Sequence, residues 1–289
     1  MSVGPQRTIA RPVILEGHGL HTGAEVRARL LPAAPASGVT FRRVDLDGAP
    51  TIEARLDEVA ATTRGIVLGR TARVATVEHL LSAARGLGID NLLVEIDSEE
   101  LPSGDGSARI FTDALQEAGA VDSDAPRRPI TLDGLVWAGA AGSMIVAAPA
   151  AGLRFTYLAT ADGTSIPPQL AEFDAGRDDY PTAIAPARTW GLAADAEALR
   201  ARGLARGATL ANALVLGPDG YINEPRFPDE LARHKILDAL GDLSLLGRPL
   251  CAHVIGVRAG HGLHVALARE IAARLDGLGR EGAGYNAAC

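Results

Sequence analysis

One predicted helix, residues 229–243, constrains the chain more than any other segment because an apolar face and a row of ligand-type side chains share it. Apolar residues recur at helical spacing, and Asp229 stands where an N-cap is expected. His234, Asp238 and Asp242 follow one another at intervals of four residues, so their side chains leave one face a turn apart. This spacing suits two donors to one metal ion, although taken alone it more often marks a solvated pair.

A second candidate site is the adjacent carboxylate and imidazole of Glu78 and His79. Thr76 is predicted to cap a helix that runs from this point to Gly86. The positive end of the helix dipole favours the ionised form of Glu78. Taken alone, the pair is better explained as an ordinary helix-start acid beside a surface histidine, so a functional interpretation needs partners from elsewhere in the chain.

The third candidate is the turn from Arg258 to His264, which joins a predicted strand to the last predicted helix. Its glycines allow a ligand to approach the backbone closely, and the charge of His261 can change there. A zinc hydrolase needs three protein ligands, a base for the attacking water, donors for the oxyanion and an acid for the leaving group. The three segments together offer candidates for the ligands, the base and the acid.

Charge and cysteine content exclude several other classes of protein. Lys and Arg total 28 against 35 Asp and Glu, and no basic stripe could neutralise a nucleic-acid backbone. With only Cys251 and Cys289, a metal must be held by His and carboxylates. The N-terminus lacks the pattern of a secretion signal, and no segment approaches the roughly 20 apolar residues that span a bilayer. We therefore expect a cytoplasmic protein without membrane insertion.

The length of 289 residues and the order of predicted elements favour two α/β domains. Residues 26–30 alternate apolar side chains with arginines, which predicts a half-buried strand. The polar, proline-bounded segment 122–129 is predicted to connect the domains, and residues 159–181 are predicted to form a loop. The predicted domains are residues 1–124, which carry Glu78 and His79, and residues 125–289, which carry His234, Asp238 and His261.

Ordered motifs extend along almost the whole chain. They are Gly19-Leu20-His21-Thr22-Gly23, Thr76-Val77-Glu78-His79-Leu80, Gly86-Leu87-Gly88-Ile89-Asp90-Asn91, Asp105-Gly106-Ser107-Ala108, Ala187-Arg188-Thr189, Arg233-His234-Lys235-Ile236-Leu237-Asp238-Ala239-Leu240-Gly241-Asp242-Leu243 and Gly260-His261. In this series the chain resembles the UDP-3-O-acyl-N-acetylglucosamine deacetylase family (LpxC), the zinc enzymes of lipid A biosynthesis. The resemblance implies an α+β fold of two α/β-sandwich domains of similar topology, with the active site between them.

The same resemblance implies a role for each matching residue. The Zn²⁺ ligands would be His79, His234 and Asp238, and Glu78 would be the base that activates water. His261 would protonate the leaving amine.

Further roles follow from the same match. Asp242 would keep His261 cationic, and Thr189 would help stabilise the oxyanion. Lys235 and Arg258 would face the substrate, a UDP-linked acylated glucosamine, although Arg258 fits a solvated strand-end cation equally well. Trp190 replaces the usual Phe of the family and still offers an aromatic wall.

One segment leaves the substrate open. The segment 159–169 lacks the aromatic and His-Pro pattern that the family uses for the nucleotide sugar, so another N-acylated sugar is an alternative substrate. A non-catalytic sugar-nucleotide-binding protein is a further alternative, against which the intact base and acid argue.

An apolar passage for the acyl chain is expected from the leucines of segment 191–215. His21 is predicted to be structural; His18, His253 and His264 are predicted to be structural or exposed; and the protein is expected to be a monomer.

Overall fold

The computed structural model describes residues 4–284, which form strands and helices in alternation. The strands, in chain order, are β1 (Pro5–Ile9), β2 (Val13–His18), β3 (Glu25–Leu31), β4 (Val39–Arg43), β5 (Thr51–Glu53), β6 (Val59–Ala61), β7 (Val67–Leu68), β8 (Val74–Ala75), β9 (Leu92–Ile96), β10 (Ala120–Pro126), β11 (Ile130–Thr131), β12 (Val136–Ala140), β13 (Ser143–Pro149), β14 (Arg154–Ala159), β15 (Gln169–Asp174), β16 (Trp190–Leu192), β17 (Leu214–Gly217), β18 (Gly220–Tyr221) and β19 (Leu250–Val257).

The helices separate these strands at intervals along the chain. The α-helices are α1 (Glu78–Gly86), α2 (Arg109–Ala118), α3 (Tyr180–Ala183), α4 (Ala196–Ala201), α5 (Glu230–Leu243) and α6 (His261–Gly284), with short 3-10 helices at Leu56–Glu58, Ala193–Asp195 and Ser244–Leu246. The helices predicted at α1, α5 and α6 are confirmed. Between residues 4 and 284, no helix combines the length and the apolar character that crossing a bilayer requires.

Two large sheets have the same strand order. The first runs β2-β3-β9-β4-β5, and the main path of the second runs β12-β13-β19-β14-β15. In each sheet the last strand in sequence is inserted at the centre, parallel to one neighbour and antiparallel to the other. The mixed α/β fold predicted from the sequence is confirmed, and the two sheets repeat one topology.

Alternation in β3 sets the register of the first sheet. Val26, Ala28 and Leu30 are buried, whereas Arg27 and Arg29 are exposed and pair with carboxylates on neighbouring strands. A strand with period two places all its apolar side chains on one face. The half-buried strand predicted at residues 26–30 is therefore confirmed.

The contact between α1 and α5 is more extensive than that between any other two helices. Helix α1 precedes the central strand of the first sheet, and α5 precedes the central strand of the second, so they occupy equivalent positions in the two repeats. Gly241 of α5 lies directly against the backbone of Glu78 at the start of α1. A Cβ atom at Gly241 would overlap the carbonyl oxygen of Glu78, so glycine is what permits this approach.

Two segments predicted to be irregular contain strands. Residues 122–126 of the predicted connection belong to β10, which pairs with the N-terminal strand β1. Residues 169–174, inside the predicted loop, form β15, in which Gln169, Ala171 and Phe173 are buried and the alternate residues are not. Only residues 171–174 of β15 alternate apolar and polar in the sequence, because polar Gln169 is buried and apolar Leu170 is exposed. The domain boundary between residues 124 and 125 stays a prediction, and it falls within β10.

The cap predicted for α5 is wrong in its chemistry. Asp229 lies at the N-cap position, but its side chain makes no capping hydrogen bond. Its Oδ1 instead accepts a hydrogen bond of 2.6 Å from Nε of Arg233, four residues further along. The Arg233 guanidinium group competes with the backbone amides for the carboxylate of Asp229, whose short side chain cannot reach both.

Replacing Gly241 by Ala should destabilise the protein. Helix propensity alone would favour Ala by about 1 kcal/mol, but overpacking of a close contact typically costs about 1–3 kcal/mol, and here the overlap is with backbone. Urea unfolding measures the difference. Gly134→Ala is the matched control because a Cβ at Gly134 meets open space. A Gly241→Ala protein as stable as the control would contradict the importance of this contact.

Candidate active site

The packing of α1 on α5 brings together the side chains of His79, His234 and Asp238. One donor atom from each lies within 4.8 Å of the others, and all are buried. Nε2 of His234 is 3.3 Å from Oδ1 of Asp238, and Nε2 of His79 is 3.9 Å from the same oxygen. The two imidazole rings meet edge to face, with centroids 5.2 Å apart. Three donors therefore converge on one point from two helices.

The protonation of this cluster suits a metal ion. Nδ1 of His234 lies 3.1 Å from the carbonyl oxygen of Ala187, which can only accept, so the proton is on Nδ1 and Nε2 has a free lone pair. Burial, with the adjacent His234, lowers the pKa of His79 to about 3. Burial also lowers the pKa of His234 against the attraction of Asp238. Both rings are thus neutral at pH 7, as metal binding requires.

Asp238 presents one oxygen to each side of the cluster. Its Oδ1 is buried and has no hydrogen-bond partner among the described residues, which a cation in this position would supply. Its Oδ2 accepts a hydrogen bond of 2.9 Å from Lys235. Burial would raise the pKa of Asp238, but His234 and Lys235 outweigh it and hold the pKa well below the ordinary value. The residues present therefore fit a divalent metal.

Glu78 lies beside the cluster and is only 2% exposed. Its Oε2 accepts a hydrogen bond of 3.0 Å from the backbone N–H of Ile66. Burial raises the pKa of Glu78 to about 7, and the positive charge of His261 opposes this. A carboxyl group whose pKa lies near neutrality can accept and release a proton under ordinary conditions.

The sequence predicted that Thr76 caps α1, and this prediction is wrong. Thr76 has a left-handed backbone (φ 57°), and Val77 occupies the N-cap position. The Thr76 hydroxyl donates to Oε1 of Glu100 at 2.9 Å. Glu100 is fully buried and also accepts hydrogen bonds from the backbone N–H groups of His21 and Thr22. This carboxylate, which sequence reasoning missed, anchors the loop that leads into Glu78.

His261 and Asp242 form a hydrogen bond, in agreement with the pairing that the family resemblance implied. Nδ1 of His261 donates to Oδ2 of Asp242 at 2.8 Å, and Nε2 lies 3.8 Å from Oδ2 of Asp238. Burial would lower the pKa of His261, but the charges of Asp242 and Asp238 outweigh it and raise the pKa to about 9. The ring is therefore cationic at neutral pH and can act as a proton donor.

His264 is the other residue that sequence reasoning missed. It is fully buried, and its Nδ1 lies 2.7 Å from the same Oδ2 of Asp242. Its place one helical turn after His261 was the only signal in the sequence. Two other histidines have structural contacts: His21 joins the backbone of Arg64 to that of Ala205, and His253 bonds to the Thr156 hydroxyl.

An open cavity of about 440 Å³ lies over the donors. The sequence assigned a metal, catalytic or substrate role to ten residues, and nine of them line this cavity. The tenth, Asp242, is buried behind His261. Nζ of Lys235 lies 5.6 Å from the centroid of the Trp190 ring, within cation–π range. A larger cavity of about 750 Å³, lined by Arg55 and Leu275 among others, contains none of these ten residues.

The structure adds two facts about the cavity walls. Arg258 lines the cavity, and its guanidinium group pairs with the carboxylate of Asp162. Among the described residues, the larger apolar side chains that line the cavity are Leu20, Trp190 and Leu263, and none of the leucines of segment 191–215 is among them. Leu210 of that segment is 55% exposed, which leaves the predicted acyl passage without support there.

Comparison with known proteins gives a consistent result. The sequence model of the family described as UDP-3-O-acyl N-acetylglycosamine deacetylase (LpxC) matches residues 6–273. A UDP-3-O-acyl-N-acetylglucosamine deacetylase of Myxococcus xanthus is 41% identical over 92% of this chain and 86% of its own length. The protein of the same name from Thermosynechococcus vestitus is 42% identical over 92% of this chain and 94% of its own length.

Replacing His234 by Ala should remove the metal from the purified protein. Loss of one of three donors should weaken binding by more than the roughly 10–100-fold that follows loss of a residue that only supports a ligand. Elemental analysis after dialysis measures bound metal per chain. His253→Ala is the control because His253 lies on the opposite face of the second sheet, bonded to Thr156. Full metal content in the His234→Ala protein would exclude this cluster as the site.

Proposed function

The chain belongs to the UDP-3-O-acyl N-acetylglycosamine deacetylase family, and we propose that it hydrolyses the N-acetyl group of UDP-3-O-acyl-N-acetylglucosamine, releasing acetate in lipid A biosynthesis. The observation that carries the proposal is the joint placement of three metal donors, a carboxylate with a pKa near 7 and a cationic imidazole around one cavity. Binding alone would require neither the base nor the acid. We expect the enzyme to act as a monomer in the cytoplasm.

We assign a zinc ion to His79, His234 and Asp238, a donor set of two imidazoles and one carboxylate that is frequent in hydrolytic zinc sites. Zinc in such a site supplies Lewis acidity and lowers the pKa of a coordinated water towards about 7. Iron and cobalt suit the same ligands, so metal analysis of protein from its native source identifies the ion used.

The protein side chains then account for the proton transfers. Glu78 accepts the proton of the attacking water as the new bond to the amide carbonyl carbon forms. The hydroxyl of Thr189, which lines the cavity, donates to the oxygen that becomes negative, a charge present only after attack. His261 donates its Nε2 proton to the nitrogen as the carbon–nitrogen bond breaks, so the products are acetate and a free amine. Lys235 keeps Asp238 ionised and adds positive charge to the cavity wall.

The pairing of Arg258 with Asp162 supports an alternative substrate that lacks the nucleotide. In this arrangement the guanidinium group is partly neutralised and is less available to a nucleotide diphosphate. The same chemistry on another N-acylated sugar is therefore the alternative. Parallel assays with UDP-3-O-acyl-N-acetylglucosamine and with N-acetylated sugars that lack the nucleotide separate the two: release only from the latter would reject the proposed substrate.

Substitution of the base and the acid should reduce acetate release without loss of metal. Glu78→Gln and His261→Gln are each expected to lower kcat by about 10²–10⁴-fold, the usual contribution of a general base or acid. Acetate release is measured beside metal content, and His253→Gln serves as the control. If either variant retained wild-type kcat, its assigned role would be wrong; if the wild-type protein released acetate from no amide, the hydrolase proposal would fail.

The pH dependence of kcat/KM should be bell-shaped. Glu78 must be ionised and His261 protonated, so activity rises as Glu78 loses its proton and falls as His261 loses its proton. Their pKa values of about 7 and about 9 hold without the metal charge. A divalent cation favours the anionic carboxylate and disfavours the imidazolium, so both limbs should lie below these values. His261→Gln should lose the descending limb; an unchanged limb would assign it to another group.

A further inference from the structure

The carboxylate of Asp242 has two imidazole partners, although the proposed reaction uses only one. Its Oδ2 lies 2.8 Å from Nδ1 of His261 and 2.7 Å from Nδ1 of His264. Both histidines belong to the first turn of α6, and their ring centroids are 5.9 Å apart. His264 is fully buried, does not line the cavity and contacts none of the metal donors through a hydrogen bond among the described residues.

The second imidazole is itself held from behind. Nε2 of His264 lies 2.7 Å from the hydroxyl of Tyr157, which lies 2.8 Å from the carbonyl oxygen of Ala259. Tyr157 is fully buried on β14, and its ring lies over Gly256 of β19, where any Cβ would overlap it. A series of hydrogen bonds thus runs from the second sheet through α6 to α5 and ends at His261.

Hydrogen-bond chemistry fixes the proton of His264 that faces Asp242. The pKa of Asp242 is lowered, because its two histidine partners outweigh burial, so the carboxylate is ionised and can only accept. Nδ1 of His264 therefore donates in either protonation state: a neutral ring accepts at Nε2 from the Tyr157 hydroxyl, whereas a doubly protonated ring donates to that hydroxyl, which then donates to Ala259. Burial lowers the pKa of His264 below its ordinary value, which favours the neutral ring. A neutral donor holds the carboxylate without competing with His261 for its charge.

Loss of this donor would leave the carboxylate poorly fixed. Rotation about the terminal torsion of an aspartate is soft, and Oδ1 of Asp242 is buried with no hydrogen-bond partner among residues 4–284. With His261 as its sole donor, the carboxylate could turn and carry the imidazole with it. Two donors that converge on one oxygen from different positions along α6 restrict that rotation.

We propose that His264, supported by Tyr157, is a positioning residue that orients Asp242 so that His261 keeps Nδ1 protonated and Nε2 directed towards the leaving group. The proposal rests on the assigned role of His261 as the proton donor. It adds a residue on which the resemblance to the family placed no role, and it assigns the work to one atom, Nδ1 of His264.

Two amide replacements test that atom. The side-chain nitrogen of Asn occupies the place of Nδ1 and can still donate to Asp242, whereas that of Gln occupies the place of Nε2 and reaches only Tyr157. We expect His264→Asn to keep kcat near the wild-type value and His264→Gln to lower kcat about 10-fold, part of the 10²–10⁴-fold that a general acid contributes, with KM unchanged in both. Thermal unfolding checks that both variants fold, and His253→Asn is the control at a half-buried histidine outside the cavity.

A double substitution and a spectrum complete the test. In an Asp242→Asn background, His264→Gln should cause no further loss of kcat, because the carboxylate it orients is gone. Nitrogen-15 spectra of imidazoles, assigned among the seven histidines by single substitutions and recorded at a pH at which His261 is neutral, should show the Nδ1–H tautomer of His261 in wild type and His264→Asn and its loss in His264→Gln.

Several results would overturn the proposal: equal kcat in the Asn and Gln variants, a change in KM alone, a further tenfold loss in the Asp242→Asn background, or an unchanged His261 spectrum in His264→Gln. If the wild-type protein released no acetate, the proposed function would fail, but the imidazole spectra would still decide whether His264 positions His261 through Asp242.

Discussion

The close approach of α1 to α5 is the constraint on which the rest of the structure depends. Glu78 and His79 lie at the start of one helix, whereas His234, Asp238 and Asp242 extend along the other. The donors meet because Gly241 allows the backbones to touch beside Glu78. Each helix precedes the central strand of its sheet, so two copies of one topology present their equivalent helices to each other and the polar side chains gather between them.

Buried charge is tolerated here because each anion has more than one cationic or donor partner. Asp238 accepts a hydrogen bond from Lys235 and lies 3.8 Å from Nε2 of the cationic His261, and Asp242 has His261 and His264 as partners. Burial of an unpaired carboxylate is costly, and its pKa rises until it becomes neutral. That is the direction seen at Glu78, which has no basic side chain in hydrogen-bond contact and receives only the Ile66 amide. Ligands and base are thus distinguished by their neighbours rather than by residue type.

Sequence reasoning succeeded where periodicity within one helix decides the geometry, as for the shared face of His234, Asp238 and Asp242. It failed where a side chain forms a hydrogen bond with a residue that is distant in the sequence. Thr76 donates to a carboxylate 24 residues away instead of capping its own helix, and Arg258 pairs with an acid 96 residues away. The buried His264 was missed because its partner Tyr157 lies on β14, 107 residues away in the sequence. Such partners follow from the packing of sheets and helices, which no local pattern encodes.

The position of the donor cluster between the two repeats has a thermodynamic consequence. His79 is supplied by the first repeat and His234 and Asp238 by the second, so a cation at this point is bound only while the repeats are in contact. A ligand that binds the assembled state alone stabilises it by an amount that grows with the logarithm of its free concentration. Metal supply therefore couples the chemistry of the site to the cohesion of the whole chain.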